Sequence, residues 1–422
     1  LSRGLGDVDK RQVVGHLLEV GDDPCAALGG IHDQVGGGFH RYSPDRAWIV
    51  PHFEKMLYDN AQLASLYAKA YMRGRDAQDA RVLRDTLDYV LREMTDDSGL
   101  FYSAQDAEVS GHEGQNYVWS WAQLEGALGA DDAAFAAEIY GVKREGGNFI
   151  DPHHREDGAS NILVLQARPD VLAERLGMDL PDFLARKQAI DETLYEARSK
   201  RPQPALDDKV ITAWNGLMIA GFADGAMALG DETYLDAAEK AAKAVLQTMR
   251  APNGDLLRTS RHGVAKTPAF LEDYAYFIKG LLALHRTSAA SGRADLTYIN
   301  GAHDLTRHAL SAFADSSGAL YDTRPDQPDL IVRTRSIMDG ALPSPISVMV
   351  HNLLDLYEFT QDEIHMRHVV EVMRPITSDV RASPVGSVNS VRALYRLLRI
   401  DASAANMFGP AELQETAPPG VA

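Results

Sequence analysis

The densest concentration of reactive side chains is Gly36-Gly-Gly-Phe-His-Arg-Tyr42, followed by Trp48-Ile-Val-Pro-His-Phe-Glu-Lys-Met-Leu-Tyr-Asp-Asn60. Its glycines let backbone approach a ligand or a second loop closely. Arg41, Tyr42, His52, Glu54, Lys55 and Tyr58 then offer donors, acceptors and a titratable ring. The same segment reads equally well as structural, a glycine-rich turn pinned by a buried histidine and a Glu–Lys pair. It matches neither G-x-x-x-x-G-K-[ST] nor G-x-G-x-x-G, so a nucleotide site is not expected. Further along come Asp106 and Glu108, Asp207-Asp208-Lys209, Trp214-Asn215, Glu272-Asp273-Tyr274, and Asp339 with Pro343 and Ser344. Carboxylates held among aromatics can be driven to unequal pKa values, as a general acid and base require. Each acid also has a bland reading. Asp106 could hold a loop, one of Asp207 and Asp208 could cap a helix, and Glu272 and Asp273 could answer a helix dipole. Trp214 could stack on a sugar ring or fill core.

Helices must position these groups. Apolar residues recur at helical spacing over Phe53–Tyr71 and Val82–Met94, Val210–Leu229 and Tyr234–Met249, Phe270–Ala290 and Leu296–Phe313, and Ser347–Phe359 and Ile364–Met373, giving four helical hairpins. Leu180–Tyr195, Val388–Ile400 and Val13–Val20 read as single helices. Three similar turns punctuate the pairs: Asp96-Asp-Ser-Gly-Leu-Phe-Tyr102, Pro252-Asn-Gly-Asp-Leu-Leu-Arg258 and Asp315-Ser-Ser-Gly-Ala-Leu-Tyr321. In each, an acid or amide and a glycine stop a helix, and a short strand-like segment follows. Asp207 to Glu272 is 65 residues and Glu272 to Asp339 is 67, so one supersecondary unit repeats. Repeated helical hairpins predict an all-α (α/α)6 toroid with short β-hairpins, whose inner helices bring the polar segments to one mouth. The expected domain covers residues 1–405, with an elaborated insertion at about 103–180 holding one helix-like run, Ser120–Leu128, and a loose tail at 406–422.

Composition narrows the function classes. The 422 residues are 45% hydrophobic and 24% charged, which excludes a disordered chain. Lys and Arg number 42 against 60 Asp and Glu, a formal charge of −18, so phosphate backbones and anionic lipid are repelled. Neither nucleic acid nor membrane is expected as a partner, and no apolar run reaches the about 18 residues that span a bilayer. Cys25 is the single cysteine, which excludes an intrachain disulfide and favours a reducing, cytoplasmic setting. The chain opens on Leu1 without an initiator Met or targeting signal and reads as a fragment. No metal or other cofactor is expected. His303 and His308, and His365 and His368, have no H-E-x-x-H context or third ligand. There is no G-x-S-x-G elbow.

Several long strings carry a family resemblance: Gly29-Gly-Ile-His-Asp-Gln-Val-Gly-Gly-Gly-Phe-His-Arg-Tyr-Ser43, Pro51-His-Phe-Glu-Lys-Met-Leu-Tyr-Asp-Asn60, Ser103-Ala-Gln-Asp-Ala107, Glu113-Gly-Gln-Asn-Tyr-Val-Trp119, Asp208-Lys-Val-Ile-Thr-Ala-Trp-Asn-Gly-Leu-Met218 and Glu272-Asp-Tyr-Ala275. Together they resemble the spermatogenesis-associated, thioredoxin-domain-containing protein family. The resemblance implies a thioredoxin-like domain followed by an (α/α)6 barrel similar to N-acylglucosamine 2-epimerases and six-hairpin glycosidases. On this resemblance the chain is expected to carry only the barrel part, without the thioredoxin-like domain. One departure is Pro343-Ser-Pro-Ile-Ser347, where the family is expected to read Pro-Ser-Gly-Asn-Ser and an amide contact is lost.

These observations lead to a carbohydrate-active barrel with a small-molecule sugar substrate, and foremost to a sugar epimerase or isomerase. His52 would exchange a proton α to a carbonyl, with Glu54, Asp208 or Glu272 setting its pKa or acting as the second acid or base. Arg41, Tyr42, Tyr58, Trp214, Asn215 and Tyr274 would hold the sugar. The alternative is a glycoside hydrolase using two of Asp106, Asp208, Glu272, Asp273 and Asp339. A third reading is a non-catalytic binding or scaffold protein.

Overall fold

The computed structural model describes residues 25–151, 154–155, 158–325 and 331–404. The helix expected over Val13–Val20 and the tail at 406–422 lie outside the described residues. The fold class is all-α, built from helical hairpins with short strands. The chain forms two compact units, residues 1–210 with 224–241, and residues 211–223 with 242–422.

The first unit holds a helical hairpin, Leu57–Gly74 and Ala77–Glu93. Leu57, Tyr58, Ala61, Ala64 and Ala68 bury one stripe of the first helix, and Val82, Leu83, Leu87 and Val90 one stripe of the second. Arg75 enters the left-handed region at φ 54° to end the first helix. Asp76 then caps the second by accepting from the Gln78 amide at 2.8 Å. The unit also carries strands β1 (Lys55–Met56), β2 (Tyr102–Gln105), β3 (Glu108–Val109), β4 (His112–Glu113) and β5 (Leu206–Ile211). All pairings among them are antiparallel: β1 with β2, β2 with β5, and β3 with β4.

The region from 103 to 180 is richer in helix than its sequence pattern predicts. Besides Trp121–Leu128, it holds Ala130–Tyr140 and Pro169–Arg175, which pack with Leu180–Ser199 around Leu124, Phe135, Ile139, Leu172, Phe183 and Leu194. Ala130–Tyr140 escapes a periodicity reading because alanines supply much of its buried face.

The second unit contains the helical pairs Leu271–Ala290 with Leu296–Phe313 and Pro345–Thr360 with Glu363–Met373, then Val388–Ile400. Strands β6 (Leu257–Arg261) and β7 (Val264–Pro268) form an antiparallel hairpin. Thr212–Leu229 crosses Leu271–Ala290 at two glycines: a Cβ on Gly216 would lie 2.5 Å from the Tyr276 carbonyl, and one on Gly280 2.5 Å from the Gly216 carbonyl. The altered Pro343–Ser347 segment is well formed locally. Ser344 caps the helix through the Ser347 amide, and Pro345 takes the first turn, where its missing N–H costs nothing.

The threefold turn recurs as geometry. Thr95 bridges Phe101, Arg250 bridges Leu256, and Ala314 bridges Leu320. Gly99, Gly254 and Gly318 sit at φ 93°, 89° and 85°. Their amides donate to the backbone carbonyls of Asp96, Ala251 and Asp315.

Candidate functional site

In the first unit, a backbone bridge between Tyr42 and His52 aligns two short segments, with the His52 amide donating to the Tyr42 carbonyl at 2.8 Å and the Arg41 amide to the Glu54 carbonyl at 2.8 Å. That pairing gathers Arg41, Tyr42, His52 and Glu54. The Arg41 guanidinium lies 3.0 Å from Glu54 Oε2, and the Tyr42 and His52 rings are tilted with centroids 5.0 Å apart. His52 stands between two carboxylates, its Nδ1 2.7 Å from Glu113 Oε1 and its Nε2 3.7 Å from Glu54 Oε2. The hydrogen bond to Glu113 raises the imidazole above its ordinary pKa, against a partial burial that alone would lower it. The Glu113 carboxyl is lowered, first by that same bond. With 29% of its side chain exposed, His52 remains reachable from solvent. Tyr58 is buried beside Arg41, and burial pushes its phenol up to about 12, so it stays a neutral donor near pH 7.

Lys55, from the same motif, is turned elsewhere. It is buried, donates to Asp33 Oδ2 at 2.8 Å and to the Gly37 carbonyl at 2.9 Å, and lies over the Tyr89 ring. Arg198 reaches the same carboxylate bidentately at 2.9 and 2.8 Å. Burial alone would raise the Asp33 carboxyl, but Arg198 and Lys55 hold it well below the usual range. The glycine-rich loop is therefore pinned by an ion triad. Gly37 and Gly38, both at φ 75°, have no room for a side chain against the Asp85 carbonyl and the Tyr89 ring. His40 is buried, lies 2.8 Å from the Phe53 carbonyl through Nδ1, and is driven by burial down to about 3.

The other candidates fall in different surroundings. Asp106 is exposed and caps the following turn through the Glu108 amide at 3.2 Å. Asp207 and Asp208 lie within strand β5 and not at a helix N-cap, and Asp207 pairs with Lys209 at 3.0 Å. In the second unit, Arg258 Nη1 engages Glu272 at 2.6 Å and Asp273 at 3.0 Å. Fully buried Asp273 also accepts from the Ala213 amide at 3.1 Å and the Phe270 amide at 2.8 Å, fastening a helix start. Asp339 accepts from the Ser344 and Asn389 amides, each at 2.8 Å. Tyr274 is buried, accepts from the Leu256 amide at 2.9 Å and stacks on His308. Asn215 is buried and donates to the Ile211 carbonyl at 3.1 Å, while Trp214 is half-buried. The second-unit acids thus hold backbone and arginine, whereas the first unit assembles a half-open acid–base cluster. Sequence reasoning passed over Glu113 as a functional group. It stands 61 residues from His52, and the Glu113–Trp119 motif was its only signal.

No protein-family model matches the chain. Spermatogenesis-associated protein 20 of Homo sapiens is 36% identical over 397 residues, covering 87% of this chain and 50% of that protein. The Mus musculus protein is 35% identical over 396 residues, covering 87% and 49%. Over most of its length the chain is similar to one half of spermatogenesis-associated protein 20. It spans about half the length of the curated relatives it matches. A Caenorhabditis elegans relative, uncharacterised, shares 31% identity over 399 residues, 88% of this chain and 53% of that one. Among solved structures, a GH76 α-mannanase of Bacteroides thetaiotaomicron shares 11% identity, covering 96% of this chain and 82% of its own at a TM-score of 0.47. A D-mannose isomerase shares 13%, covering 89% and 87%, at 0.39. The cellobiose 2-epimerase of Bacillus thermoamylovorans shares 11%, covering 87% and 88%, at 0.38.

Proposed function

We propose that this chain is a carbohydrate-active protein whose acid–base centre is His52, with the epimerase or isomerase class as its reaction. One observation carries the reading: a solvent-reachable imidazole is held by Glu113 at 2.7 Å on one nitrogen and faces Glu54 at 3.7 Å on the other. Glu113 fixes the ring and favours its protonated form, leaving Nε2 to give or take a proton. Glu54 supplies the second titratable group that two-sided transfer at one carbon requires. Tyr58, kept neutral, and Arg41 are donors suited to sugar hydroxyls, and Tyr42 offers a ring face. The charge of −18 favours a neutral polyol over an anionic substrate. The second-unit acids are occupied by Arg258 and by backbone amides, so the carboxylate-pair reading gains no support from them. A cytoplasmic setting, and a thioredoxin-like domain in the full-length protein, belong to the same proposal.

The test is solvent deuterium exchange. Neutral reducing sugars incubated with the protein in D2O should lose the proton α to the carbonyl, read by NMR. His52→Ala should abolish the exchange without moving the melting temperature. No exchange and no thermal shift with any sugar, alongside stabilisation by a protein partner, would replace this reading with the scaffold one.

A further inference from the structure

A second cluster lies beside this centre and takes no part in the proposed proton transfer. Strands β3 and β4 are joined by Ser110-Gly111, with φ of 54° and 84°, the two left-handed positions of a type I′ hairpin. Alternation along β4 then sends His112 and Glu113 to opposite faces. Glu113 goes to His52, while the His112 ring meets that of His154, with centroids 3.9 Å apart. Asp151, buried, joins them, and one ligand atom from each of the three residues lies within 4.8 Å of the other two.

The tautomer of His154 adds an independent indication. Its Nε2 lies 3.1 Å from the Gly111 carbonyl, which can only accept, so Nε2 carries the proton and Nδ1 keeps its lone pair. A backbone carbonyl taking the non-ligating N–H is how proteins commonly orient a metal-bound imidazole. Two ring nitrogens and one carboxylate oxygen suit Zn2+ and similar first-row ions, whereas Ca2+ and Mg2+ call for oxygen ligands.

We propose that His112, Asp151 and His154 form a binding site for a divalent transition-metal ion of the Zn2+ class. Bonds of about 2.0–2.2 Å draw the three ligand atoms closer together than the 4.8 Å limit. Three protein ligands leave a fourth position for water or a ligand oxygen. The ion is held one residue from Glu113, on the hairpin that also supports His52.

The experiment uses the whole chain, stripped with a chelator and titrated with Zn2+ by calorimetry and with Co2+ by visible absorption. One ion per chain should bind, with the d–d bands of a low-coordinate site. Asp151→Asn, which keeps the side-chain shape, and the His112→Ala/His154→Ala pair should each weaken binding by more than the roughly 10- to 100-fold that loss of an outer-shell partner costs. Their metal-free melting temperatures should stay near that of the parent, and His303→Ala should bind as the parent does. Absence of binding by the parent chain, or unchanged affinity in folded Asp151→Asn and in the histidine pair variant, overturns the proposal. Because the readout is metal binding, it stands or fails separately from the sugar exchange assay.

Discussion

Asp273 is fully buried, and that burial pushes its carboxyl up to about 7 against the pull of Arg258 and two backbone amides. Its unfolded-state pKa is near 3.9, so the folded state binds the proton more tightly. The stability this group contributes is fully present below about 3.9 and is lost as pH rises toward about 7. Asp273→Asn cannot titrate. Its melting temperature relative to the parent should therefore climb between about pH 4 and pH 7, whatever constant offset the lost Arg258 contact introduces. Melts at several pH values check this, and a flat difference would mean that Arg258 and the amides keep the carboxylate ionised throughout. The residue types at this position and at His52 were visible in the sequence; their partners were not. Glu113 lies 61 residues from His52, and Arg198 lies 165 from Asp33, distances over which no local pattern operates. Lys55, adjacent to Glu54, looked like part of an open cluster, yet strand alternation carried it inward to Asp33.

At the scale of elements, long helices were legible because their apolar stripes keep the 3.6-residue period. Leu296–Phe313 and Val388–Ile400 occur where the pattern puts them. The three turns were legible for another reason, since each needs a glycine at positive φ four residues after its bridge begins. Helix Ala130–Tyr140 was hidden by its alanines, and its packing against Leu180–Ser199 is a tertiary fact. Close helix crossing is likewise tertiary, and it yields a paired prediction. Gly216→Ala drives a methyl into the Tyr276 and Phe277 backbone and should cost about 1–3 kcal/mol, read from chemical denaturation. Gly126→Ala, in a helix with no atom within 4 Å of the new methyl, should stabilise by roughly 0.4–1 kcal/mol. Equal effects at the two sites would refute the close-crossing argument.

Across the whole molecule, 60 acids face 42 bases, and ion pairs, each taking one acid and one base, leave that imbalance in place. Self-repulsion from a charge of −18 works against the compact state. Raising NaCl from about 0.01 to 0.15 M shortens the screening length from about 30 to 8 Å, so the melting temperature at neutral pH should rise. A fall would mean that attractive pairs such as Arg168–Asp76 and Arg396–Asp355 dominate. The triad that pins the glycine-rich loop has a consequence in time. Asp33 and Lys55 leave the ribosome early, but Arg198 follows Asp33 by 165 residues, roughly 8 to 33 s of synthesis at about 5–20 residues per second. Until then the nascent chain holds an acid that lacks its bidentate partner, and the glycine-rich loop, which leads into the Tyr42 segment bridged to His52, lacks one of its pins. Translation order thus makes the Leu180–Ser199 helix a prerequisite for the acid–base cluster, whose members from Arg41 to Glu113 are encoded 157 to 85 residues before Arg198.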